Sequence, residues 1–433
     1  MPFLAKLIEK VLHLQTEDFI DTNQLHAKFQ SAYRAQNSCE TASIRIFADI
    51  QKLVFEKSHV ALIALDSSSA FDTVDHEVLL RKLRDEFGIE DKALALIKSY
   101  FENRTFSVEI EDKISTKRRL ECGVPQGSIL GPLIYILYTK GIQSIVESYK
   151  INIHMYADDC QLYLAFKSEN QITAQENANN CLSKIKMWMD TNYLKLNTNK
   201  TTLKFFSPDK IPLPFQINYN TDIIKPSNLI NILGIKVKQG IDFSPFISKK
   251  VQTCYMHLRN LFHIRNSLTF NARVQMVTNL ILSNLDYCNS ILICSTKKVI
   301  KPLQLVLNRA RRFIFYLKRD THITPFLKKL HILPIIQRIK YKTCLISYKI
   351  YYNLAPLYLL EKFPTFRPST PMNLRMGRGR DNFMFEQELS KRDTIYSEIK
   401  SEWNKLPIQL RMTTNLNIFK GKLKKHFFLE AFN

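Results

Sequence analysis

Three features of the chain predict an α+β fold. Residues 60–65 form an unbroken aliphatic run, the pattern of a buried strand. Residues 151–155 and 162–166 are further apolar runs around Tyr156-Ala-Asp-Asp159, which reads as strand–turn–strand. Beyond about residue 245 the patterning is almost wholly helical, so strands and helices segregate along the chain.

The elements follow in order. Residues 3–13 and 39–55 read as helices and precede the 60–65 strand. Val78, Leu79, Leu83 and Phe87 recur at helical spacing, and Gly88 supplies a stop. Asp72, Asp75 and His76 start and cap that helix, because anions favour a helix N-terminus. Ala93, Leu96, Ile97, Tyr100 and Phe101 mark another amphipathic helix. Phe106, Val108 and Ile110 alternate as a strand, paired with the stretch leading to Cys122. Residues 129–138 are apolar enough for a buried helix. From 172 to 189, Ala178, Cys181, Leu182, Ile185 and Trp188 share one face, which should pack beneath the sheet. Residues 203–206 and 229–237 give further strands. Pro302, Pro325, Pro334 and Pro356 punctuate the helical half, and residues 364–381 read as a flexible loop.

Composition sets limits. A chain of 433 residues with 45% hydrophobic content suits two or three domains with real cores, not a disordered protein. No run is long enough to span a bilayer. The eight cysteines are scattered without a Cys-x-x-Cys, which argues for reduced thiols in an intracellular protein of nucleus or cytoplasm. Net charge is +23, and residues 1–245 carry about none of it. A neutral first part joined to a strongly basic second part fits a protein whose second part grips phosphate backbones. Arg309, Arg311, Arg312, Lys318 and Arg319 are among the densest clusters, with residues 328–329, 375–380 and 420–425, and Phe313, Phe315 and Tyr316 are interleaved where bases could stack. Any one such cluster is also what a solvated helix face looks like.

Adjacent Asp158 and Asp159 at a hairpin tip are costly. Desolvated like charges repel, and one takes up a proton unless a cation binds. A hard divalent ion such as Mg²⁺, shared with a substrate phosphate, relieves both. A solvated Asp-Asp turn fits the same letters. Upstream, Asp66 stands where the 60–65 strand ends, before Ser67-Ser-Ser-Ala-Phe71-Asp72. The two acidic sites together could hold ions roughly 3.5–4 Å apart, the arrangement that clamps an in-line phosphoryl displacement. Between them lies Cys122-Gly-Val-Pro-Gln-Gly-Ser-Ile-Leu-Gly-Pro132. Its glycines allow close backbone approaches, while Gln126 and Ser128 offer hydrogen bonds. A capped turn explains that loop alone; the three pieces in this order ask for more.

Together they resemble the reverse transcriptases of non-LTR (LINE-type) retrotransposons, most closely the jockey-like branch. The resemblance rests on Leu65-Asp-Ser-Ser-Ser-Ala-Phe71-Asp-Thr-Val-Asp75-His76, Gly123-Val-Pro-Gln-Gly-Ser-Ile-Leu-Gly-Pro132 and Tyr156-Ala-Asp-Asp159. It continues through residues 188–201, 231–234, 285–289 and 322–325, and so runs through nearly the whole chain. It implies a right-hand polymerase: fingers and palm over 1–240, a helical thumb over 241–310, and a basic, mostly helical region over 311–433. It also implies RNA-directed DNA synthesis with Mg²⁺ (two ions, Mn²⁺ a possible substitute), an RNA template, a DNA primer or target, and deoxynucleoside triphosphates. Asp66 and Asp158 would be principal metal ligands, with Asp159 a third carboxylate. Phe71 would stack under the sugar and exclude a 2′-hydroxyl, or equally cover the strand end as a core aromatic. Gln126 and Gly127 would support the template–nucleotide pair. Lys200 would neutralise the departing pyrophosphate, or be a solvated lysine.

Some letters depart from the family. The chain opens inside what resembles the first finger motif, without the usual Arg-Pro-Ile, and residues 29–39 have lost that finger loop's glycines and proline. The expectation is an N-terminally truncated form without an endonuclease domain. A catalytically inactive nucleic-acid-binding relic is the rival. An RNA-copying RNA polymerase is discouraged by the bulk of Phe71.

Overall fold

The computed structural model describes residues 3–68, 71–125, 127–208, 215–219, 222–318, 321–364, 383–386 and 394–432. It divides into two compact units, residues 1–35 with 58–227 and residues 36–57 with 228–433.

A four-stranded antiparallel sheet organises the first unit. His59–Leu65 lies between Thr202–Phe206 on one side and Asp159–Phe166 on the other, and Asn152–Tyr156 pairs outside the latter. Its central place explains why its six-residue aliphatic run shows no alternation: both faces are covered, and Val60, Ala61, Leu62 and Ile63 are buried. The helix Gln171–Thr191 turns Ala178, Cys181, Leu182 and Ile185 inward as predicted; Met189, not Trp188, is the fully buried residue of its last turn, and Trp188 is only partly buried against the same core. Gly131–Tyr138 is buried nearly throughout. Asp75 caps the helix His76–Asp85, accepting at 2.8 Å from the Val78 N–H.

Several boundaries moved. The first helix runs Phe3–Thr22, well past residue 13. The expected strand around 106–110 is instead a pair of short exposed ladders, Thr105–Phe106 with Arg118–Arg119 and Glu109–Ile110 with Lys113–Ile114. Residues 229–237 are not one strand. They fold back as Ile230–Ile232 and Ile235–Val237, because Leu233 and Gly234 both take positive φ (50° and 77°), the turn that matches strand twist.

Among the described residues, the second unit is helical apart from that hairpin. Cys39–Phe55 belongs to it, entered through a capping box in which the Ser38 and Thr41 side chains bond each other's backbone. Tyr348 stacks on Phe419 at 4.3 Å and Tyr351 on Trp403 at 5.4 Å, so Ile335–Tyr351, Ile395–Asn404 and Leu416–Phe432 share an aromatic core. Pro334 and Pro356 precede helices and Pro325 opens one, as expected. Pro302 does not interrupt: it sits inside Lys297–Phe315, near its start. Residues 365–381 of the expected loop lie outside the described residues. No helix among the described residues is long and apolar enough to cross a membrane, and none of their cysteines is paired.

Candidate active site

The sheet register places the carboxylates. Leu65, the last residue of its strand, pairs with Cys160, which puts Asp66 just past the strand end, next to the start of Asp159–Phe166. Tyr156 pairs with Asp159 across a two-residue turn of Ala157 and Asp158. Hydrogen bonding within the sheet therefore fixes both acidic segments at one edge, although they lie far apart in sequence.

Asp66 and Asp158 line one cavity of about 570 Å³ with Tyr33, Phe71, Asp72, Gly127 and Lys200. Lys200 is the only basic residue among them, its Nζ 3.4 Å from Asp66 Oδ1. It arrives because Ser67–Ser68 pairs with Lys195–Leu196 and the Asn197 N–H donates to the Asp66 carbonyl at 2.8 Å. Phe71 is half-buried and stacks on Tyr135 at 4.6 Å, so it is both a wall of the cavity and an edge of the core. Asp72, expected only at a helix start, also lines the cavity.

The glycine-rich loop is tied to this floor by backbone. Gly123 N–H donates to Val74 O at 2.7 Å and Val124 N–H to Phe71 O at 2.9 Å. A Cβ on Gly123 would lie 2.7 Å from the Asp72 carbonyl oxygen, so only glycine fits there. Ser128 joins three segments: it donates to Glu9 Oε2 at 2.9 Å and accepts from the Tyr100 hydroxyl and the Gly131 N–H. Gln126 lies outside the described residues.

The electrostatics are those of crowded anions. Burial first, then the charges of Asp158 and Asp66, push the Asp159 carboxyl up to about 6. Burial and the Asp158 charge also raise the phenols of Tyr135 and Tyr33. Asp66 Oδ1 is buried without a hydrogen-bond partner, since Lys200 approaches outside good hydrogen-bonding geometry. An orphaned carboxylate oxygen amid like charges is a donor set suited to a hard divalent cation. The donor atoms of Asp66, Asp158 and Asp159 do not all lie within 4.8 Å of one another, so their gathering on ions requires side-chain rotation.

Sequence reasoning missed the residues that hold the hairpin. Gln30, fully buried, accepts from the Ala157 N–H at 3.1 Å and from the Ala32 N–H at 3.0 Å, and its amide donates to Ala157 O at 3.4 Å. Backbone bonds from Ser31 N to Met155 O and Met155 N to Phe29 O complete the clamp. Tyr33 meets Phe71 edge-on at 6.4 Å. The only warning in the letters was the altered 29–39 stretch.

The family described as Reverse transcriptase (RNA-dependent DNA polymerase) matches residues 1–237, more than half of the chain. The chain belongs to the reverse transcriptase family. Members of that family use divalent metal ions, in keeping with the acidic edge just described. Its four-stranded sheet backed by helices is the palm of the family's right-hand fold. The chain is 26% identical over 324 residues to a probable RNA-directed DNA polymerase from transposon BS of Drosophila melanogaster, covering 72% of this chain and 35% of that protein. It is 25% identical over 295 residues to the RNA-directed DNA polymerase from mobile element jockey of the same fly, covering 66% and 32%. The chain thus spans about a third of the length of these relatives. Apo telomerase from Candida tropicalis aligns with a TM-score of 0.39 and 16% identity over 76% of this chain and 53% of that one.

The basic cluster is split by the fold. Arg309 is exposed, its guanidinium 4.5 Å from the Phe262 ring centre, and Lys318 is exposed. Arg312 is half-buried and donates to the Lys318 carbonyl at 3.3 Å. Arg311 is 1% exposed and points inward, donating to Asn308 Oδ1 and to the Ile332 carbonyl. It therefore leaves the expected phosphate-gripping set: on an amphipathic helix, position 311 shares the inner face with Leu307 and Ile314. Arg319 lies outside the described residues.

Proposed function

We propose that this chain is an RNA-directed DNA polymerase of a mobile element, extending a DNA primer along an RNA template with deoxynucleoside triphosphates. The observation that carries the reading is the shared cavity of Asp66, Asp158, Phe71, Gly127 and Lys200, five residues from four separated segments. Asp66 and Asp158 hold the cations and Asp159 supports them as the third carboxylate. Held there, divalent ions (two Mg²⁺, with Mn²⁺ as a substitute) would supply the positive charge that an in-line phosphoryl transfer calls for. Phe71 lies under the incoming sugar, Gln126 and Gly127 support the template–nucleotide pair, and Lys200 faces the departing phosphates. Residues 1–240 serve as fingers and palm, 241–310 as thumb, and 311–433 as a basic region that holds nucleic acid.

Primer extension on an RNA template with Mg²⁺ tests this directly. Wild type extends, and Asp158→Ala falls by at least a thousandfold. Equal incorporation by both proteins ends the assignment. Tight, salt-sensitive binding of the primer–template without extension by wild type establishes the inactive relic instead.

A further inference from the structure

We propose that Glu17, Asp21 and His26 form a binding site for one zinc-class transition-metal ion, separate from the polymerase carboxylates. Among the described residues, this is the one group of three or more potential ligand side chains whose donor atoms all lie within 4.8 Å of one another. None of the three lines the cavity of Asp66 and Asp158.

Backbone geometry builds the site. Glu17 and Asp21 are one helical turn apart on the same face of Phe3–Thr22. That helix ends in a Schellman motif: Gln24 has φ 54°, its N–H donates to Asp21 O at 3.1 Å, and the Leu25 N–H reaches back to Ile20 O at 2.9 Å. The chain is thereby folded back on the last turn, which presents His26 to the two carboxylates.

His26 carries the argument. Its side chain is 4% exposed, yet its Nε2 makes no hydrogen bond. The nitrogen stands 3.3 Å from Asp21 Oδ1 and 3.5 Å from Glu17 Oε1, beyond the usual hydrogen-bond range. Two ligands of a tetrahedral ion with bonds of about 2.0–2.2 Å are separated by roughly 3.3–3.6 Å, so the spacing suits a shared metal better than a hydrogen bond. Glu17 Oε2 is likewise buried and unsatisfied. The remaining tetrahedral position is left to water, since His13, one turn before Glu17, is not among the donor atoms that lie within 4.8 Å of one another. An imidazole with carboxylates selects zinc, cobalt or nickel over Mg²⁺, which prefers oxygen alone. The ion would fix residues 23–26, directly before the Gln30 clamp on the Ala157–Asp158 turn.

The test uses the full chain stripped with chelator, returned to buffer containing Mg²⁺, and titrated with zinc or cobalt. Expected are one zinc retained per chain after gel filtration, the visible spectrum of tetrahedral cobalt, and a Tm raised by several degrees by zinc but not by further Mg²⁺. His26→Asn and the near-isosteric Glu17→Gln should each weaken retention at least tenfold, while Asp158→Asn keeps it. The proposal is overturned if wild type retains no zinc. It also fails if His26→Asn and Glu17→Gln retain zinc as wild type does, or if retention disappears in Asp158→Asn. An ion pair of protonated His26 with the carboxylates predicts pH-sensitive stability indifferent to zinc, and that result too would defeat it.

Discussion

Asp159 titrates near 6 because it is partly buried beside Asp158 and Asp66. Its folded pKa lies above the unfolded value, so the metal-free protein is relieved of this cost below pH 4 and loses stability as pH rises through 6. Asp158→Asn removes one repelling charge but leaves the burial that is the larger cause. In chelator at pH 7.5 the variant should therefore be more stable than wild type by up to about 1 kcal/mol in urea denaturation, with the gap closing below pH 4. Added Mg²⁺ should raise the wild-type Tm and leave the variant nearly unmoved. A variant no more stable than wild type in chelator would show that the carboxylates do not repel across this edge. Phe71 is tested separately. Its ring stacks on Tyr135 and meets Tyr33 edge-on, so moving it aside for a larger sugar would give up both contacts. Phe71→Ala should incorporate ribonucleotides at least tenfold better relative to deoxynucleotides, and unchanged discrimination would remove Phe71 from the sugar's contact.

The hairpin of Asn152–Tyr156 and Asp159–Phe166 shows what a sequence discloses at the level of elements. Its strands were legible because apolar runs broken by two aspartates have few other homes. Likewise His59–Leu65 was legible because a run buried on both faces needs no alternation. The clamp on the turn was not legible: Gln30 and Ala157 are 127 residues apart, and nothing local in Phe29-Gln-Ser marks a partner so distant. The Ile230–Val237 hairpin was hidden for another reason, since its turn places Leu233 in a conformation that glycine or asparagine usually advertises. Ala157 carries similar strain at φ 54°, and Gln30 bonds both sides of that residue. Gln30→Ala orphans the buried N–H of Ala32 and the half-buried N–H of Ala157 at about 1–3 kcal/mol for a fully buried group and less for the other, so a loss of roughly 2–4 kcal/mol is expected. Assayed well below its Tm, the variant should also lose kcat more than nucleotide affinity, because the turn it frees carries Asp158. Full kcat in a destabilised variant would make Gln30 a purely structural residue.

At the scale of the whole chain, charge divides as the two units do. The first unit has a net charge of −1 and the second +24. That asymmetry was readable from composition, but which arginines face solvent was not, because a helix with basic residues on several faces must bury some of them. Lys297–Phe315 does so: Arg309 stays out and Arg311 goes in. Burial holds the Arg311 guanidinium below its usual pKa, and its bonds to Asn308 and the Ile332 carbonyl make it a packing residue. The two arginines should therefore fail differently when changed. Arg309→Glu with Lys318→Glu should weaken primer–template binding mainly at low salt and make the slope of log K against log salt shallower, by about 0.7–0.9 for each phosphate no longer neutralised. Their Tm should stay within a degree or two of wild type, since both side chains are exposed. Arg311→Ala should instead lower Tm by several degrees and leave the salt slope of the folded protein unchanged. Filter binding across a salt series, with thermal melts of the same preparations, separates the two. An unaltered slope in Arg309→Glu/Lys318→Glu would mean that the positive excess of the second unit grips no backbone at this helix.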